Sequence, residues 1–203
     1  YPEGTEKDRN GNLVTPEGIV ISSDGTVTLP DGTKLTPDAD GKKPTVNKDE
    51  TVTDTKGNTY STDGSITDEN GAYLRPADAK ISSHSIDRNK LTVKLSKGCA
   101  GAQGYDFVIS KKSNMLQTGK FSKKVSSTGK PQASFRYLAK GTWYVAARSW
   151  VLDAQGNKVY GSWTKIKKIK ITVVTTQQPK IRNITVDRKS TRLNSRHPSI
   201  SYA

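Results

Sequence analysis

Residues 90–109 read KLTVKLSKGCAGAQGYDFVI, and their pattern decides the fold. Leu91, Val93 and Leu95 share one parity with polar residues between them, and Tyr105, Phe107 and Ile109 repeat the device beyond a Gly-rich turn. Successive side chains of an extended chain point to opposite faces. A period of two therefore makes each run a strand with one face against a core. Downstream, Gly141 to Leu152 has the same alternation. Trp143, Val145, Ala147 and Val151 are expected in the core, and Tyr144, Arg148 and Trp150 on the outer surface. Asp153-Ala154-Gln155-Gly156-Asn157 reads as a hairpin loop into Lys158 to Tyr160. The last strand, near Trp163 to Val173, changes phase between Ile166 and Ile169, which predicts a bulge at Lys167-Lys168. Turn signals every 8 to 15 residues from Pro76 onward complete the pattern of an all-β antiparallel sandwich.

Outside this stretch the composition changes. The whole chain has 203 residues, a net charge of +14 and 32% hydrophobic residues, well below the usual share of a globular domain. Residues 1–75 carry 8 Lys and Arg against 14 Asp and Glu, whereas residues 76–187 carry 21 against 5. An acidic segment is thus joined to a basic one. In the acidic segment small turn pairs recur at Asn10-Gly11, Asp24-Gly25, Asp31-Gly32, Asp40-Gly41, Lys56-Gly57, Asp63-Gly64 and Asn70-Gly71, with glycines 14, 7, 9, 16, 7 and 7 residues apart. Asp-Gly and Asn-Gly suit tight hairpin turns, and two or three β-prone residues follow most of them. Two readings stay open: a ribbon or solenoid of very short strands, or an extended flexible stalk. Pro16, Pro30, Pro37 and Pro44 interrupt the pattern and favour the stalk. No loop completes the ligand set of an EF-hand, so turn geometry accounts for the Asp-Gly pairs without calcium.

Four motifs in order, Lys90-Leu91-Thr92-Val93-Lys94, Gly101-Ala102-Gln103-Gly104-Tyr105, Leu138 with Gly141-Thr142 and an aromatic pair, and Tyr160-Gly161-Ser162-Trp163, resemble a bacterial fibronectin type III domain over residues 76–175. The resemblance implies a seven-stranded immunoglobulin-like sandwich. Leu95 stands where that family usually has Trp, and Trp143 where it has its corner tyrosine; Tyr144 could supply the corner hydroxyl after a one-residue shift. The run DGTVTLPDGT at 24–33 resembles low-complexity spacers in surface proteins of Gram-positive gut bacteria. Residues 176–188 read as a linker or the start of a further module. Residues 189–203, KSTRLNSRHPSISYA, resemble a translated sequencing-adapter tail and are set apart as non-native. Residue 1 is not Met, and the chain is expected to be a piece of a longer one.

Little in the sequence points to chemistry. The single Cys99 excludes an internal disulfide and a Cys-based zinc site. It lies in a turn without a histidine nearby, and is expected as a bland, half-buried thiol. His84 is expected on a solvent-facing or edge strand position, and His197 falls in the adapter-like tail. Asp78, Asp87, Asp106 and Asp153 are expected on turns and surface, with no Glu in the sandwich to pair with them. No catalytic residue, cofactor or metal site is expected, and no apolar run approaches the roughly 18 residues of a membrane span.

The basic charge has two readings. Lys111, Lys112, Lys120, Lys123, Lys124, Lys165, Lys167, Lys168 and Lys170 could line neighbouring strands and attract a polyanion, or they form a solvated face that keeps the domain soluble. Arg occurs in the sandwich segment only at 88, 136, 148 and 182, which argues against specific nucleic-acid readout. Trp150, Tyr144, Lys167 and Lys168 are the candidate partner contacts, toward a protein or an anionic cell-wall or glycan surface. The expected function is non-enzymatic: a structural or adhesive module, monomeric within a tandem-domain protein, secreted or on the cell surface. The competing expectation is an accessory module of a carbohydrate-active or wall-lytic enzyme.

Overall fold

The computed structural model describes residues 1–172, in which all elements but one short helix are strands. The calls on residues 176–188 and 189–203 lie outside the described residues. No helix among the described residues is long and apolar enough to cross a membrane.

The acidic segment is an ordered pair of β-meanders, which settles the two readings in favour of short stacked strands. The first meander runs through β1 (Glu6–Lys7), β2 (Leu13–Val14), β3 (Val20–Ile21), β4 (Val27–Thr28) and β5 (Lys34–Leu35), each strand antiparallel to the next. The second runs through β6 (Thr45–Val46), β7 (Val52–Thr53), β8 (Thr59–Tyr60), β9 (Ile66–Thr67) and β10 (Tyr73–Arg75). Every hairpin uses one device. At Ser22 to Thr26 the N–H of Gly25 donates to Ser22 O (2.9 Å), and the N–H of Ser22 donates to Thr26 O (2.9 Å), with Gly25 at φ +87°. This is a tight turn ending in a left-handed residue, the glycine bulge that suits hairpin twist. Two strand residues and five turn residues give the repeat of seven. The prolines do not break it: Pro16 and Pro30 occupy the second turn position, where a fixed φ near −65° fits, and Pro37 and Pro44 lie in the connection between the meanders.

Strands of two residues bury little area singly. Here the two meanders face one another and share a core of Ile19, Val27, Leu29 and Leu35 from the first and Val46 and Val52 from the second, flanked by Ile21 and Tyr60. That pooling of one or two side chains per strand opposes the entropy cost of ordering them.

The sandwich follows. Its first sheet is β11 (Ile81–Asp87), β12 (Lys90–Leu95) and β15 (Gln132–Phe135); its second is β14 (Lys123–Thr128), β13 (Gly104–Ser110) and β16 (Gly141–Leu152), with β17 (Lys158–Tyr160) and β18 (Lys167–Ile171) both paired to the far edge of β16. The strands whose alternation predicted them supply the core: Leu91, Val93 and Leu95 from one sheet meet Tyr105, Phe107, Ile109, Trp143, Val145 and Ala147 from the other. The short helix α1 (Met115–Thr118) interrupts the chain between β13 and β14.

Two expectations need correction. No bulge lies at Lys167-Lys168: β18 pairs with β16 in unbroken register from Val145↔Lys167 to Gly141↔Ile171. The phase change arises because the strand itself is interrupted. Residues 161–166 leave the ladder, with Thr164 Oγ1 accepting the Ala147 N–H (3.0 Å) and the Thr164 N–H donating to Ala147 O (2.8 Å). The corner hydrogen bond comes from Trp143, not from Tyr144. Its indole Nε1–H donates to Ala139 O, four residues upstream, at 2.8 Å.

Meander and sandwich meet at a built junction. Arg75 at the end of β10 donates from Nη2 to Asp78 Oδ1 and to Ser162 Oγ (both 2.8 Å), and from Nη1 to Gly64 O. Asp78 Oδ1 also accepts the Ser162 N–H (2.6 Å), and the Asp78 N–H donates back to Asp63 O in the last meander (2.8 Å). Buried Ser149 on β16 donates its hydroxyl to Ala77 O at 2.6 Å. The ring of Tyr73 lies against Gly101 so closely that a Cβ there would collide with it.

Candidate interaction surface

Outward-facing positions of the second sheet are fixed by register. Asp106 pairs with Ser126 on one side and Arg148 on the other, Val108 with Lys124 and Ala146, and Tyr144 with Lys168. This is the face on which Tyr144 and Trp150 were expected to meet a partner.

The structure closes most of it. Trp150 is only 6% exposed, contrary to the surface position its parity implied. Gly104 on β13 leaves the room its ring occupies, since a Cβ there would overlap it. The Lys158 ammonium covers the ring, 4.1 Å from its centroid. Val108 and Ala146 are covered by Met115, with Leu116, Phe121, Tyr144 and Trp163 packed around them. Tyr144 keeps partial exposure at the rim of this second, smaller core.

Asp106 departs furthest from expectation. It has no exposed surface at all, although it stands on the outer parity. An ionised carboxylate out of water needs partners. Asp106 has the Ser126 hydroxyl donating at 2.6 Å, the Lys124 ammonium at 2.9 Å, Lys158 at 3.5 Å and Arg148 at 3.7 Å. Burial acts to raise its pKa, but the Ser126 hydrogen bond and the charges of Lys124 and Lys158 outweigh it and hold the carboxyl below its ordinary value. Arg148 is clamped in turn between the rings of Tyr160 (3.4 Å) and Trp163 (4.3 Å), and Phe121 lies against Trp163 at 5.9 Å. The aromatic and cationic groups that looked free in the sequence thus contact one another, while Arg148 Nε and Trp150 Nε1 are buried without a hydrogen-bond partner among the described residues.

Lys167 and Lys168 do not act together. Successive residues of β18 point to opposite faces, so Lys168 lies on the outer face beside Tyr144, while Lys167 shares the core-side parity of Ile169 and Ile171 and is half-buried at the edge. Among the candidate contacts only Lys168, with Lys170 two residues on, stands exposed on that face.

His84 is exposed on β11, an edge strand of the first sheet, as expected. Cys99 is half-buried, its backbone N–H donating to the Tyr105 hydroxyl (3.0 Å). Burial pushes the thiol's pKa up, with Asp63 and Asp78 adding to the effect, which is the reverse of what an activated nucleophile needs. The turn aspartates are engaged by their own loops. Asp8 Oδ1 accepts the N–H groups of Asn10 and Asn12 at 2.8 Å each, and Asp54 Oδ1 those of Lys56 (2.8 Å) and Asn58 (2.9 Å).

A further exposed aromatic lies elsewhere, at the pole of the sandwich opposite the meander junction. There Tyr137 is 80% exposed at φ +57°, and Arg88 in the facing β11–β12 turn has φ +54°. Periodicity gives no sign of either, since both lie between strands. No family model and no curated protein matches this chain.

Proposed function

We propose that the chain is a non-enzymatic spacer and presentation module of a bacterial secreted or cell-surface protein, in which a fibronectin type III-like sandwich is carried rigidly on a double β-meander. The observation that carries this reading is the junction. Arg75 joins Asp78, Ser162 and Gly64, while Ser149 holds Ala77, so groups from the β8–β9 turn, β10, the segment before β11, β16 and the segment after β17 meet at one junction. A flexible tether would leave those groups to water. A rod that fixes the separation of its ends needs them paired.

The fibronectin type III reading is supported by the strand order. Three strands, β11, β12 and β15, face the set β14, β13 and β16, and the split strand β17 and β18 serves as a seventh. The Trp143 indole reaching back to Ala139 O supports it as well, being a bond of the corner-tyrosine kind made with an N–H. The absence of chemistry is read from the engaged aspartates and the inert thiol.

The test is a distance measurement between spin labels on exposed positions Lys56→Cys and Lys94→Cys, in a Cys99→Ser background. A single narrow distance distribution is expected, broadening when Arg75→Ala and Asp78→Ala are added. A broad distribution in the parent would refute the rigid spacer.

A further inference from the structure

We propose that the pole bearing Tyr137 is a binding site for an acidic polysaccharide, with the Tyr137 ring stacking on a sugar and the surrounding cations taking its carboxylates. The proposal stands on this pole alone and does not require the spacer reading.

Its first support is the backbone. A bulky aromatic residue is disfavoured in the left-handed region, and held strain of this kind concentrates where a side chain must be presented. Leu138 next to it is buried, so the loop inserts one side chain into the core and turns Tyr137 outward.

The loop is also fastened on every side. The Leu138 N–H donates to Asn89 O (3.0 Å), and the Trp143 indole donates to Ala139 O (2.8 Å). Lys111 Nζ donates to Lys140 O (3.1 Å) and Ala139 O (3.4 Å), and Lys123 Nζ to Arg136 O. A ring presented on a loop tied at four points loses little freedom on binding.

Those fastenings bring charge. The loop and the segments bonded to it carry Arg88, Lys111, Lys123, Arg136 and Lys140, against the single carboxylate of Asp87 in the β11–β12 turn. An ammonium has three N–H groups, so Lys123, which holds one carbonyl, can still meet an anion, whereas Lys111 holds two and lies 4.2 Å from the centroid of the Trp143 ring. Three cations of the outer face differ in this respect. Lys124, Arg148 and Lys158 already share Asp106.

The shape of the pole selects the class of ligand. A specific protein partner needs an interface of roughly 1,200–2,000 Å² with several apolar anchors, and this pole offers one large ring. Single-stranded nucleic acid is held on successive aromatic platforms, and here there is only one. A sugar chain with a charge on each unit asks for one flat ring and spaced cations.

The experiment measures binding of the full chain to polygalacturonate across a salt series, with neutral dextran and a 20-base-pair DNA duplex as parallel probes. Affinity for polygalacturonate is expected to fall steeply as salt rises. Tyr137→Gly relieves the positive φ, so it should fold at least as stably as the parent while binding about tenfold more weakly; Tyr137→Phe should bind within about twofold of it. Arg136→Glu with Lys140→Glu should weaken binding and flatten the salt dependence. The proposal is overturned if polygalacturonate does not bind or Tyr137→Gly binds unchanged. It is overturned equally if Lys168→Glu with Lys170→Glu causes the loss instead, if dextran binds as well, or if the duplex binds as tightly with the same dependence on Tyr137.

Discussion

In the N-terminal half the strands are two or three residues long and turns take most of the chain; in the C-terminal half strands reach twelve residues. Both halves use the same hairpin. Asp8 to Asn12 and Asp54 to Asn58 in the meanders, and Asp153 to Asn157 in the sandwich, each place Asp first, Gly fourth at φ +82° to +90°, and Asn fifth, with both amides of the turn directed onto the Asp carboxylate. What differs is what lies between turns. The sandwich core gathers fifteen buried residues from both sheets and their connections, including three large aromatic side chains and Trp143, whereas the meander core gathers six aliphatic ones. The first half is therefore held chiefly by its turns, and the second by its interior.

Deleting a core side chain should separate the two halves most sharply. Phe107 is fully buried at the centre of the second sheet, and Phe107→Ala should cost about 3–5 kcal/mol. Ile19→Ala, in the meander core, should cost about 2–3 kcal/mol, the lower part of the range, because short strands can close over the gap. All three tryptophans, at 143, 150 and 163, belong to the sandwich, so urea unfolding followed by indole fluorescence reports that half alone. Far-ultraviolet dichroism reports both. Equal losses at the two sites would show that interior packing carries the meanders too.

The buried ion cluster comes next in size. Asp106→Asn keeps the shape but leaves Lys124, Arg148 and Lys158 without their shared carboxylate, and should cost the sandwich about 3 kcal/mol at pH 7, the low end for a broken buried pair. The pH dependence gives a sharper reading. Asp106 is held below its ordinary pKa in the fold. A depressed carboxylate gives stability that is complete above the unfolded value of about 4 and is lost as pH falls through the folded one. Indole-monitored stability should thus decline below about pH 4 in the parent and decline less in Asp106→Asn. Asp8, Asp24 and Asp49 are held below their ordinary value by their own turn hydrogen bonds, and at Asp54 burial acts to raise the value but the hydrogen bonds of Asn58, Lys56 and Tyr60 outweigh it, so the meanders should lose stability in the same window in both proteins. An unchanged acid limb in the indole signal of Asp106→Asn would remove Asp106 as its cause.

These contrasts follow what was legible in the residues. Alternation placed Leu91, Val93, Leu95, Phe107, Val145 and Ala147 in the core because one sheet face decides each of them. It misplaced Trp150 and Asp106 because parity names a face and does not say whether that face is covered. The cover comes from neighbouring strands: Lys158 over the Trp150 ring, and Ser126, Lys124, Arg148 and Lys158 around Asp106. The break between β17 and β18 was visible only as a phase change, which a bulge would also produce. Tyr137 carried no signal, since backbone strain and a loop tied by lysine side chains leave no periodic trace.

The glycine steps of 14 and 16 residues are each about two repeats of seven, and the structure fills both. Gly18 halves the step of 14, and in the step of 16 the left-handed position is occupied by Glu50 at φ +64°. Its turn is otherwise intact, with the Glu50 N–H donating to Asn47 O (3.2 Å) and the Asn47 N–H to Thr51 O (2.8 Å). Glu50 Oε2 is also buried with no hydrogen-bond partner among the described residues. A side chain in the left-handed region costs about 1–2 kcal/mol, and glycine gives back part of that gain through the greater freedom of its unfolded chain. Glu50→Gly should therefore stabilise the meanders by about 0.5–1 kcal/mol, seen as a higher dichroism midpoint in urea. Because Arg75 and Asp78 bind the last meander to the sandwich, part of that gain should reach the indole midpoint, and it should vanish there in an Arg75→Ala background. A gain confined to dichroism in both backgrounds would mean that the junction positions the two halves without making them unfold together.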